Sequence, residues 1–223
     1  MIRFIRSLPF ALEFAAVMAL ALGLFVFSSI WVVFHPSSHT HHSIATLIRL
    51  VFYELGVFAV LLPLLRLRGW TFAKIGLRPT LRDTGIGIAL FAAAYCAWAG
   101  IWFATVVLSP STAMNILAAP VMVERVPLAL TIAVSLVNSL FEEIWVSGYL
   151  MTALKRSDNP WFAIHASVAV RLVYHLYQGT QAVLSIIPIG LIFGIWYART
   201  GRLWPLVVAH ALMDLFALLA VGR

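Results

Sequence analysis

Seven apolar stretches, near 10–34, 44–65, 84–108, 127–153, 160–178, 182–198 and 203–221, leave this chain little outside hydrocarbon. About 20 apolar residues in a helix cross about 30 Å of bilayer, and inside that layer each backbone N–H and C=O must be satisfied within its own segment. No alternating run of about ten residues offers the strands of a lipid-facing barrel. The expected fold is therefore all-α, a polytopic transmembrane helical bundle of about seven spans. An eighth, re-entrant element is the alternative within 109–126, where "APVMVERVP" is too short to cross. Only 10% of residues are charged and mean hydropathy is +1.00, against about 25% charged in a soluble domain, so 1–223 reads as one membrane domain.

Local chemistry sets the details. The start "MIRFIRSLPFALEFAAVMALALGLFVF" has a basic leader, but its apolar run exceeds the roughly 7–15 residues of a signal peptide, so it reads as a retained first span. Pro9, Pro36, Pro79, Pro127 and Pro160 fall at span boundaries, where a missing N–H costs little. Pro188, inside the short sixth span, allows a broken or tilted helix there. The single Cys96 reads as a buried structural thiol.

A net charge of +7 does not point to nucleic acid, because the basic residues cluster between spans. Arg3 and Arg6, the group Arg66, Arg68, Lys74, Arg78 and Arg82, then Lys155 and Arg156, then Arg199 and Arg202 alternate with connections holding few cations. The positive-inside rule then puts the N-terminus in the cytoplasm of a multi-pass cell-membrane protein, of the bacterial inner-membrane type. The cluster His35, His39, His41 and His42 reads as a flexible polar loop rather than a metal site. His165, Tyr174, Tyr177, Trp196 and Trp204 read as interfacial or packing residues.

Ionisable groups deep in a span are costly and mark functional sites by default. Setting aside span ends leaves Glu142, Glu143, Arg171, His175, His210 and Asp214, spread over three spans. The two glutamates stand about 100° apart around a helix, so they are expected to face different spots. Arg171 and His175, with Gln178 beyond them, are expected along one face of the fifth span, and His210 and Asp214 along one face of the seventh. Asn138 and Ser135 fall at helical spacing before Glu142, and Ser139 and Ser147 flank Glu143. A carboxylate and two imidazoles can serve as general base and acid on a water molecule. They can equally hold a divalent metal, Zn2+ above all, with Glu142, His175 and His210 as ligands and an open fourth position. Either route leads to hydrolysis.

These residues resemble a family. "EEIWVS" (142–147), "RLVYH" (171–175) and "HALMD" (210–214) are similar, in order and separation, to the EExxxR, (F/R)xxxH and HxxxN/D motifs of the type II CAAX prenyl endopeptidase and bacteriocin-processing (CPBP, or Abi) family. "KIGLRPTLRD" (74–83) resembles the connection ahead of the family's core, so the resemblance covers about 70–220. It implies an intramembrane endopeptidase acting on a hydrophobic, prenylated or membrane-protein peptide within the lipid bilayer. It implies that Glu142 activates water, helped by His175, while His210 and Asp214 shape the site or stabilise the oxyanion, with Glu143 as Glu142's structural companion. Ser147 departs from the pattern, standing where the family has arginine. Arg171 is the one other deep cation, and it is expected to pair with Glu143 from across the bundle. Two other functions compete: a catalytically silent family member acting as a membrane scaffold or immunity protein, and a proton-coupled transporter. The second is weakened by the lack of inverted repeats.

Overall fold

The computed structural model describes residues 7–35, 43–109, 125–155 and 159–221. Its helices are α1 (Phe10–Phe34), α2 (Ile44–Leu67), α3 (Leu81–Leu108), α4 (Leu128–Leu154), α5 (Trp161–Tyr174), α6 (Thr180–Thr200) and α7 (Trp204–Val221). No strand occurs among the described residues. The all-α polytopic expectation therefore holds, with span ends displaced by a few residues. Helices α1 to α4 are each long and apolar enough to cross a membrane, and shorter apolar helices follow over Trp161–Tyr174, Ser185–Thr200 and Trp204–Ala220. The chain is a multi-pass membrane protein. The re-entrant alternative falls mostly on residues outside the described ones, as do His39, His41 and His42.

Helix α4 is the axis of the bundle: 56% of its apolar window is buried, against 22%, 17% and 11% in α1, α2 and α3. It packs against α2 and α7; α7 also lies on α3, α5 pairs with α6, and α1 lies along α5. Lipid offers no hydrophobic drive for helix association, so close backbone approach through small residues matters. A Cβ on Gly190 or Gly194 of α6 would stand 3.1 Å from Val168 and 3.0 Å from Ile164 of α5.

The middle of α4 departs from α-geometry. Glu143–Leu150 forms a π-helix with all eight residues buried, a rare geometry that occurs mostly as short bulges at functional sites. Buried polar side chains pin its C-terminal end. Tyr149 donates its hydroxyl to Glu13 Oε1 at 3.0 Å, and Glu13 also accepts from Trp70 Nε1 at 2.8 Å and Arg68 Nε at 2.5 Å. Just beyond that end the Tyr197 hydroxyl pairs with Thr152 at 2.8 Å and donates to the Ile75 carbonyl at 3.0 Å. The α2–α3 connection then closes on the α6–α7 turn. The Leu203 N–H donates to the Gly76 carbonyl at 3.0 Å, and Gly76 sits at φ +71°, where a Cβ would meet the Gly201 carbonyl oxygen at 1.7 Å.

Two local expectations are corrected. Helix α6 runs unbroken through Pro188, as α2 does through Pro63, because neighbouring helices can re-satisfy the groups a membrane proline frees. Cys96 is exposed on the outer face rather than buried. Helix α3 buries Asp83, Gly87 and Ala94, and Cys96 stands two residues beyond that stripe, about 200° around the helix.

Candidate active site

The site is built where α4 changes from α- to π-geometry, between Glu142 and Glu143. Glu143 is 0% exposed and accepts three hydrogen bonds from three elements. Arg171 Nη2 of α5 donates at 2.7 Å, Ser147 Oγ of the π-helix at 2.6 Å, and His210 Nδ1 of α7 at 2.8 Å. Ser147 in turn accepts from Arg171 Nη2 at 3.0 Å. The Arg171–Glu143 contact lies well inside the roughly 6 Å over which opposite charges act strongly on one another. A guanidinium therefore reaches Glu143 from α5, while the position of the motif arginine holds a hydroxyl that joins the two.

Glu142 is 9% exposed and differently placed. Its Oε2 accepts from the Tyr174 hydroxyl at 2.5 Å, with Arg171 Nη1 at 3.7 Å and His210 Nε2 at 3.9 Å. Among the described residues no side chain hydrogen-bonds its Oε1. The expectation that the two acids face different spots is thus corrected. Arg171 and His210 each offer one nitrogen to Glu142 and another to Glu143, and the wider π-turn begins between the acids.

On α7, His210 Nε2 lies 3.6 Å from Asp214 Oδ1 one turn on. The other Asp214 oxygen accepts from Asn138 Nδ2 of α4 at 2.8 Å, so Asn138 serves Asp214 rather than Glu142. Ser139 donates back to the Leu136 carbonyl at 3.2 Å instead of meeting Glu143.

His175 leaves the expected face because α5 ends at Tyr174. The chain passes into a 3-10 turn over Leu176–Gln178 and reverses at Gly179, φ +68°. The Nδ1 of His175 donates to the Arg171 carbonyl at 2.9 Å, which leaves the Nε2 lone pair of the neutral ring available. No ion pair joins His175 to a carboxylate among the described residues. It is nonetheless within Coulombic range of Glu142 and His210. Gln178 turns away to donate to the Tyr177 hydroxyl at 3.0 Å.

A resident metal fits this arrangement poorly. Among the described residues no group of three or more His, Cys, Asp or Glu side chains could hold a metal ion. Glu142 and His210 approach one another, but His175 completes no triad with them, and the Arg171 cation already faces Glu142. An apolar cavity of about 290 Å³ adjoins the π-helix at Ile144, Trp145 and Tyr149, but the polar groups of the site do not line it.

Two residues escaped the sequence reading. Tyr174, taken as a packing residue, is the closest partner of Glu142; its adjacency to His175 gave no sign of this. Glu54 lies at the centre of α2, is 0% exposed, and its depth was the available signal.

Residues 124–216 match a family model described as Type II CAAX prenyl endopeptidase Rce1-like. No curated protein and no solved structure matches. The matched segment spans α4 through most of α7 and contains Glu142, Glu143, Arg171, His175, His210 and Asp214. Residues 124–216 are thus similar to an Rce1-like type II CAAX prenyl endopeptidase domain, a similarity that supports an intramembrane protease at family level.

Proposed function

We propose that this protein is an intramembrane endopeptidase that hydrolyses a peptide bond of a hydrophobic, membrane-associated substrate, with a prenylated CAAX-type C-terminus as the first candidate. The observation that carries the reading is Glu142: a buried carboxyl group fixed by Tyr174 through one oxygen, while among the described residues the other has no hydrogen-bonding side chain.

In this reading Glu142 accepts a proton from water as the water oxygen attacks the peptide carbonyl. General-base catalysis of this kind is worth about 10² to 10⁴ in rate. The imidazole of His210, held by Glu143 and Asp214, presents its Nε2 side to the developing oxyanion. His175 takes that proton from Glu142 onto its free Nε2 and passes it to the leaving amine. Glu143 and Arg171 act as an internal ion pair that holds α4 against α5, and Ser147 is their link. With Arg171 paired this way, the missing motif arginine is no argument for a silent family member. No step requires a metal. The basic clusters between spans favour a cytoplasmic N-terminus.

The test is reconstitution of the full chain in lipid vesicles with a farnesylated CAAX peptide, reading release of the C-terminal tail by mass spectrometry. Cleavage that survives EDTA and disappears in His175→Ala is the expected result. An intact peptide with the folded wild type, or full activity in His175→Ala, overturns the assignment. Activity lost to EDTA and restored by Zn2+ would establish a metal-dependent mechanism instead.

A further inference from the structure

Glu54 belongs to none of the three motifs and lies outside the matched domain. It projects from the middle of α2, a helix packed against α4. Glu54 is 0% exposed, and among the described residues neither of its carboxyl oxygens has a hydrogen-bond partner. A buried polar group left without a partner is costly, and more so if charged, so such a group calls for an explanation.

Its surroundings narrow the explanation. One turn further along α2, Phe58 packs on Phe141 and Trp145 of α4, with ring centroids at 5.3 and 5.9 Å. That contact puts Glu54 at the level of the Asn138–Glu142 turn, and Glu142, His210 and Asp214 are the site groups within Coulombic range of it. Glu54 makes no hydrogen bond to Glu142 among the described residues, so the two carboxyl groups can be joined only through a group between them. Water supplies two donors, and a buried water needs 2–4 polar partners to stay in place. Among the described residues Glu142 Oε1 and both Glu54 oxygens accept no side-chain hydrogen bond.

We propose that Glu54 is a positioning residue of this site, whose carboxyl group holds from α2 the water that Glu142 activates. The water would donate one hydrogen to each carboxyl, leaving an oxygen lone pair free to attack. As Glu142 takes its proton and the water oxygen bonds the peptide carbon, the second hydrogen stays on that oxygen, bonded toward Glu54. This inference rests on the hydrolytic reading above, although the water itself can be detected without turnover.

The experiment compares wild type, Glu54→Leu, Glu54→Gln and Glu142→Gln as full-length protein in vesicles. Infrared spectra in H2O and D2O should show an ordered-water O–D band in wild type that is lost in both Glu54→Leu and Glu142→Gln. With the farnesylated CAAX peptide, Glu54→Leu should lower kcat about a hundredfold, the scale of a ~1 Å misplacement, with KM unchanged. Glu54→Gln, which keeps an acceptor, should recover about a tenth of the lost rate. A purely structural carboxyl predicts the opposite for Glu54→Leu: higher thermal stability with kcat unchanged. The proposal is overturned if the O–D band persists in Glu54→Leu or if its kcat matches wild type. A wild type that shows the shared band yet cuts no peptide refutes the protease reading and leaves the water site standing.

Discussion

Removing the Arg171 guanidinium tests how the site is held together. The Arg171 and Glu143 side chains are 5% and 0% exposed, with the charged atoms 2.7 Å apart. Breaking a buried pair from one side costs about 3–5 kcal/mol, because the surviving charge stays desolvated. Arg171→Met leaves Glu143 with Ser147 and His210 as donors, which places the expected cost near the lower end, about 3 kcal/mol. Glu143→Gln should cost less, since Arg171 can turn from Glu143 toward Glu142, already 3.7 Å away. That turn would engage the proposed base, so activity should fall further than stability does. The double variant removes both charges together and should be more stable than the sum of the single losses by about 2 kcal/mol, within the range for groups in direct contact. The assay is reversible unfolding in mixed detergent micelles followed by far-UV circular dichroism, with cleavage measured in parallel. Additivity to within about 0.5 kcal/mol, the behaviour of independent sites, would refute the pairing.

Two further outcomes follow from single contacts. Tyr174→Phe removes the 2.5 Å hydrogen bond to Glu142; a bond to a charged group is worth about 1.5–3 kcal/mol of stability, so the melting temperature should fall, and kcat with it as Glu142 loses its anchor. Gly76→Ala forces a Cβ into a left-handed turn against the Gly201 carbonyl and should destabilise the fold by more than about 1 kcal/mol, read as a lower unfolding midpoint.

The helices were legible because the bilayer permits few alternatives: long apolar runs bounded by Pro9, Pro127 and Pro160 fixed α1, α4 and α5 to within a few residues. The motif residues were legible too, since Glu143, Arg171 and His210 are too costly at membrane depth to be there without partners. What escaped depended on backbone geometry without a composition signature. The sequence "EIWVSGYL" contains nothing that separates a π-turn from an α-turn, and the π-turn is part of why Glu142 and Glu143 share their partners. The end of α5 at Tyr174, which moves His175 off the helix face, is set by the turn into Gly179 rather than by apolar periodicity. Cys96 was misplaced because an all-apolar helix gives no amphipathic stripe to show which side faces lipid. Glu54 sat in full view at mid-span, but no motif drew attention to it.

The central claim is that Glu142 is the base of a hydrolytic site. Glu142→Gln keeps shape and volume, preserves an acceptor for Tyr174, and removes the ability to take a proton from water. In vesicles with the farnesylated CAAX peptide, the variant should insert and melt like wild type while losing tail release by about 10² to 10⁴. Cleavage at the wild-type rate by a correctly folded Glu142→Gln protein would contradict the account.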